Sequence, residues 1–373
     1  MANEVLKKGG EVASEVSGDT RSFDFEGMRF GVKAWRASAS GAREGGSPAV
    51  PIVLVHGFAQ QASTWDDTAQ LLADAGAECF GFKLAGHGAG ACSAGGDPAE
   101  RPGFFDLCFQ ARALLAFCRI VARDAGVAPV LVGYSMGGRV ALQAACLAAG
   151  DLRDGDQLNR TALRSSAAFA LCDRTRRLDV AGACQRDVAA NAARMSAAAP
   201  FSALVLESAG TGPVDDAARE ALRERNFAWA ARVRGEGVSA FMDWWAGLPL
   251  FESQQHLPAD QQERLRAGRL ANDKESLALS FERAGAHAMP SQGESIRALC
   301  ELAAKGIPVS YLAGELDAKY CKVASTLQTE SQGAVSCRVV PAAGHNIHLE
   351  QSEAFNAILG EVVESCTPKP AAP

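Results

Sequence analysis

Short runs of apolar residues recur along the chain, separated by stretches in which apolar positions return every three or four residues. The runs are PIVLV (51–55), ECFGFK (78–83), PVLVGY (129–134), FSALVLES (201–208), IPVSYLAG (307–314) and SCRVVPA (336–342). Runs this continuous predict strands buried on both faces of a parallel sheet rather than strands with one wet side. Helical periodicity marks 62–75, 105–125, 136–149, 319–330 and 350–365; in 105–125, Leu107, Leu114, Leu115, Phe117 and Val121 share the apolar side. One further strand-like stretch runs from Phe23 to Trp35. Strand alternating with helix predicts an α/β fold, with a mostly parallel central sheet and helices on both faces.

Two stretches break the rhythm. Residues 151–200 are rich in Ala, Arg and Asp and separate a helix from the next strand, where a short connection normally suffices. They read as an insertion, partly helical or disordered. Residues 213–295 are helical in pattern and carry Trp229, Trp244, Trp245 and Phe251, which fits a helical cap over the strand ends. The expected organisation is a leader over 1–20, a core over 21–212 containing the insertion, the cap over 213–295, the core again over 296–365, and a disordered tail over 366–373.

The chain has 373 residues, 48% of them hydrophobic, enough for one large domain with an inserted cap. Its net charge of -6 argues against nucleic acid or an acidic membrane surface as a general partner. No apolar run approaches the ~20 residues a membrane span needs. Eleven cysteines lack CxxC or metal-site spacing, and the first residues are polar without an apolar signal segment. This argues for a cytoplasmic protein with reduced thiols; Cys108, Cys118 and Cys146 are expected to pack in the core. No metal-ligand cluster or dinucleotide fingerprint is present, since GAGACSAGG lacks the strand–helix placement that motif needs. No cofactor is expected, and oligomeric state is not legible.

The sharpest chemical signal is GYSMGG at 133–138, a G-x-S-x-G between an apolar strand and a helix. That context is the nucleophile elbow: Gly133 and Gly137 permit the tight turn, and Ser135 is lifted to a helix N-terminus. A serine hydroxyl needs a base beside it, and elbow enzymes order their residues Ser, acid, His along the chain. Asp317 in GELDAKY and His345 in PAAGHNIH each follow a predicted strand, where ligand sites form in such sheets. Asp317 would orient His345, and His345 would take the Ser135 proton. The structural alternative for Asp317 is a helix N-cap; Glu315 and His348 are the rivals for the two roles. HGF at 56–58 puts the Phe58 amide beside that of Met136 as an oxyanion hole. His56 reads as a loop brace and His87 as a turn residue.

Arg139 lies four residues after Ser135, on the same helix face. A charge there costs free energy unless it is paired, either by a ligand carboxylate in bidentate geometry or by an internal acid.

Taken together, HGF, GYSMGGR, DWWAGLPLF, GELDAKY and AGHNIHLE resemble the 2-succinyl-6-hydroxy-2,4-cyclohexadiene-1-carboxylate synthases, the MenH-type members of the α/β-hydrolase superfamily. The resemblance covers about 50–150 and 201–365. It implies the α/β-hydrolase fold and a lyase of menaquinone biosynthesis that eliminates pyruvate from an anionic polycarboxylate, with the triad serine acting as a base. It also implies substrate contacts at Arg139, Tyr134, Arg223, Trp244 and Arg269. The insertion and the leader have no counterpart in the family pattern, and KLAGHG replaces its DLPGHG, so Lys83 stands where an acid is expected. A serine hydrolase, esterase or thioesterase, is the competing reading on the same triad, and a non-catalytic binding protein is a third.

Overall fold

In the computed structural model, residues 19–37, 49–88, 98–154 and 199–367 are described. All but the last two residues of the expected leader, nearly all of the 151–200 insertion and most of the tail lie outside them. Eight strands form one sheet: β1 Asp19–Phe25, β2 Met28–Trp35, β3 Ile52–Val55, β4 Cys79–Phe82, β5 Val130–Tyr134, β6 Ala203–Glu207, β7 Val309–Gly314 and β8 Ser336–Val340, in the order β1-β2-β4-β3-β5-β6-β7-β8. The six from β3 onward pair in parallel, and β1 and β2 add an antiparallel edge.

The stretch Phe23–Trp35 is therefore a hairpin rather than one strand. Glu26 and Gly27 adopt φ 46° and 83°, the two left-handed positions of a tight type I′ turn. The apolar patterning on either side hid that turn.

The continuous runs behave as parallel strands should. Along β3, Val53 and Val55 enter one core, while Ile52 and Leu54 enter the other, and all four are fully buried. Each such aliphatic side chain contributes on the order of 1.5–3 kcal/mol by leaving water. Helices α1 (Asp66–Asp74) and α10 (Ser352–Cys366) cover the face holding Ile52 and Leu54. Helices α2 (Leu107–Ala125), α3 (Met136–Asp154), α7 (Gln292–Ala304) and α8 (Ala318–Glu330) contribute to the other. Cys118 is buried there and Cys146 half-buried, but Cys108 is exposed, because it falls on the outer face of α2.

Residues 213–291 hold α4 (Asp216–Ala246), broken at Gly237 (φ 81°), then a 3₁₀ stretch (Pro249–His256), α5 (Ala259–Leu270) and α6 (Lys274–Ala284). Their own core joins Phe241, Met242, Trp245, Phe251, Leu277 and Phe281 to Ala59 of the loop after β3. Asn272 donates to Ala59 O at 3.0 Å and accepts from the Gly88 amide at 2.9 Å, which ties this helical block to the loops after β3 and β4. Among the described residues, no helix is long and apolar enough to cross a membrane.

Candidate active site

Ser135 follows central strand β5 and precedes α3, with φ 51°, a left-handed backbone that a non-glycine residue adopts only under constraint. The constraint is visible. Its amide donates to Glu207 O at 2.8 Å, and the flanking glycines leave no room for side chains. A Cβ at Gly137 would stand 2.3 Å from Val55 O, and one at Gly133 2.7 Å from Gly137 O. The start of α3 thus lies directly against the end of β3. Met136 heads α3, so its amide has no acceptor within the helix. Phe58 sits two residues beyond His56 in the loop that this helix start touches.

Three residues from distant parts of the chain meet here. Ser135 Oγ donates to His345 Nε2 at 2.9 Å, and His345 Nδ1 donates to Asp317 Oδ2 at 2.8 Å. His345 and Asp317 are buried while Ser135 is half-buried; Ser135 and His345 line a cavity, and Asp317 lies behind them. Asp317 is also the N-cap of α8: its Oδ1 accepts the Tyr320 amide at 3.2 Å, so both sequence-level roles coincide in one carboxylate. Glu315 instead accepts the Ala342 amide at the surface, at 2.9 Å, and His348 pairs with Glu207 away from the cavity. The loop carrying His345 is held by Glu350, which accepts the amides of Gly344 (2.6 Å) and Asn346 (3.0 Å).

His56 is a brace: Nδ1 donates to Gly57 O at 2.9 Å, and Nε2 accepts the Leu84 amide at 3.1 Å. Burial pushes its pKa down to about 3 and that of His87 to about 4, so both rings are neutral at neutral pH.

The cavity over Ser135 is lined by Phe58, Tyr134, Trp229, Trp245, Phe251 and Phe281 among apolar and aromatic groups, and by Arg139, Arg225, Arg269 and Lys319 among cations. Among the described residues no Asp or Glu lines it. Among the described residues the Arg139 side chain makes only a long 3.5 Å hydrogen bond to Ala284 O, and its Nε has no partner. No ion pair of Arg139 occurs among the described residues, so the internal-acid alternative finds no acid. Burial depresses its pKa first of all, and neighbouring Arg225 depresses it further. Arg225 lies over the Trp229 ring at 4.6 Å, and burial lowers its pKa as well. Arg269 donates to Gln254 Oε1 at 2.8 Å and is also lowered by burial.

Two expected substrate contacts lie outside the cavity lining. Arg223 is exposed, paired with Glu220 at 2.6 Å, and is not in the cavity wall; Arg225 is. Residues two apart on a helix differ by about 200° in azimuth, so these two arginines point to different faces. Trp244 stacks beneath Arg232 at 4.0 Å, while Trp245 and Trp229 face the cavity. Tyr134, Arg139 and Arg269 do line it. Arg225, Lys319 and Trp229 line it as well; ALRERN and GELDAKY contain the first two, but nothing in their spacing marks them as site residues.

The family model described as the alpha/beta hydrolase family matches residues 52–358. A candidate 2-succinyl-6-hydroxy-2,4-cyclohexadiene-1-carboxylate synthase of Bacillus subtilis is 33% identical over 166 residues, 44% of this chain and 57% of that protein. The synthase of that name from Citrobacter koseri is 29% identical over 308 residues, 82% of this chain and 91% of its own length. Among solved structures, MenH from S. aureus superposes with a TM-score of 0.63 at 22% identity, covering 90% of this chain and 98% of that one; at this identity the likeness speaks for the fold. The chain belongs to the alpha/beta hydrolase family, where it is similar to the MenH-type enzymes.

Proposed function

We propose that the chain is a 2-succinyl-6-hydroxy-2,4-cyclohexadiene-1-carboxylate synthase, which eliminates pyruvate from 2-succinyl-5-enolpyruvyl-6-hydroxy-3-cyclohexene-1-carboxylate. The observation that carries this is a cavity over Ser135 with Arg139, Arg225, Arg269 and Lys319 in its wall and, among the described residues, no carboxylate in its lining. Guanidiniums depressed by burial and lacking acids are matched by an anionic ligand, and this substrate carries three carboxylates. The curated relatives' names agree with that chemistry.

Substrate and product differ by loss of the proton on ring carbon 2 and of the oxygen substituent on ring carbon 5. Ser135 Oγ gives its proton to His345 Nε2 and takes the ring proton. The freed electron pair becomes a new ring double bond, the existing double bond shifts, and the ring C–O bond breaks. The departing enolate takes up a proton and becomes pyruvate. Asp317 steadies the imidazolium. The amides of Phe58 and Met136 face the charge that develops on the succinyl ketone oxygen next to carbon 2. No acyl-enzyme forms on this path.

A hydrolase would use the same three residues for acyl transfer, and the elbow geometry alone does not separate the two. The test is direct: purified protein should release pyruvate from the enolpyruvyl substrate and turn over neutral aryl esters at a far lower rate. Fast ester turnover without pyruvate release would replace the lyase reading with the hydrolase one.

A further inference from the structure

Glu207 is the last residue of β6 and is completely buried, outside the cavity lining. Its backbone carbonyl accepts the Ser135 amide at 2.8 Å, the amide of the residue with left-handed φ. Its carboxylate accepts twice from His348: the backbone amide reaches Oε1 at 3.1 Å, and ring Nδ1 reaches Oε2 at 2.8 Å and Oε1 at 3.0 Å. His348 lies three residues after His345, in the short helix α9 (Ile347–Glu350). One residue therefore grips both the nucleophile's turn and the loop that presents its base.

The His348 ring is fixed on its other sides as well. Trp65 stacks on it with centroids 3.8 Å apart and planes 20° from parallel. Tyr134, the residue before Ser135, stands between the two imidazoles, 5.4 Å from His345 and 5.1 Å from His348. A buried carboxylate paired with an imidazole contributes little net stability compared with apolar packing of equal volume. What it contributes is direction: two bonds to one residue, from backbone and ring, fix the rotation of the loop.

We infer that Glu207 and His348 are positioning residues that hold the Ser135 elbow and the His345 loop in register, an inference that rests on Ser135, His345 and Asp317 being the catalytic residues. Neither touches the cavity, so their effect reaches the chemistry through the Ser135–His345 hydrogen bond rather than through substrate binding.

The test compares His348→Phe, which keeps the stack on Trp65 and removes the ring donor, with His348→Asn, whose side-chain amide nitrogen replaces Nδ1. Pyruvate release is followed well below the Tm of each variant. His348→Phe should lower kcat at least tenfold with KM within twofold of wild type, and His348→Asn should recover kcat to within threefold. A wild-type kcat in folded His348→Phe overturns the inference, as does a His348→Asn no better than His348→Phe. If His348→Phe does not fold, Glu207→Gln carries the test: a kcat loss of three- to tenfold is expected, and an unchanged kcat refutes it. Labelling of Ser135 by a fluorophosphonate separates this from the proposed function. A wild type that labels but releases no pyruvate removes the lyase reading alone, and the same ratios are then expected in labelling rate. A wild type that neither labels nor turns over removes the catalytic residues and this inference together.

Discussion

Replacing Arg139 by Met should weaken the enzyme and leave the fold as stable as before, or more so. Met keeps most of the side-chain volume and removes the charge. In the free protein that charge has one 3.5 Å hydrogen bond to Ala284 O and no acid partner among the described residues, and burial already disfavours it. Removing it relieves a desolvation cost and leaves no orphaned acid behind. For a chain of this size about 1 kcal/mol corresponds to roughly 1.5 °C in Tm, so the variant should melt at the wild-type temperature or a few degrees above it. On the proposed function, the same change strips a desolvated substrate carboxylate of its partner, at a cost of about 2–5 kcal/mol. At ~1.4 kcal/mol per factor of ten, kcat/KM for pyruvate release should fall roughly 30- to 4,000-fold. Calorimetry and a coupled pyruvate assay on one preparation measure both quantities. Any residual hydrolysis of a neutral aryl ester should change less than threefold. An unchanged kcat/KM, or a Tm lowered by more than 3 °C, would show that Arg139 serves the fold and would refute the reasoning.

Asp317→Asn keeps an oxygen for the Tyr320 amide but loses the charge facing His345, so kcat should drop about 10⁴-fold with little change in Tm; Asp317→Ala should lose a further ~1 kcal/mol of stability with the cap, and equal melting of the two variants would discount the capping role. Gly137→Ala forces a Cβ to 2.3 Å from Val55 O, which only a backbone shift relieves, so activity should be lost even where folded protein is recovered; a fully active variant would contradict the packing. Arg225→Met should raise KM for the enolpyruvyl substrate at least tenfold while Arg223→Met leaves it within twofold, and the reverse order would restore Arg223 to the site. Acid stability provides a further check. The folded pKa of His56 is about 3 and that of His87 about 4, below the ordinary 6.5, so the unfolded chain binds more protons in between. Their contribution is constant above pH 6.5, and stability falls as pH drops from 6.5 toward 4; urea titrations of His56→Gln should show a shallower fall over that window than wild type.

Much of this was legible in the chain because the signals are local. A parallel strand buried on both faces reads as an apolar run, and GYSMGG carries its own glycines for the turn that lifts Ser135. Asp317 and His345 follow from strand ends and chain order. What escaped depended on orientation. Arg223 and Arg225 have the same chemistry two residues apart, and only the true phase of α4 decides which one enters the cavity. Trp244 and Trp245 differ by a single step in the same way. The Glu26–Gly27 turn was masked by apolar residues on both sides. Glu207 left a faint trace, an acid closing an apolar strand, but its partner His348 lies 141 residues away, and no pattern in the sequence joins them.

The guanidiniums of the cavity come from three separated stretches: residue 139 from the sheet-bearing body, residues 225 and 269 from the helices laid over it. The three hydrogen-bonded groups beneath them, by contrast, all belong to the body. On the proposed function, reactivity and discrimination are assembled from different pieces of the polypeptide. A molecule whose upper helices had yet to settle would possess a complete proton relay with two of its three arginine selectors missing, and new specificities could arise by rewriting those helices while the relay stays untouched.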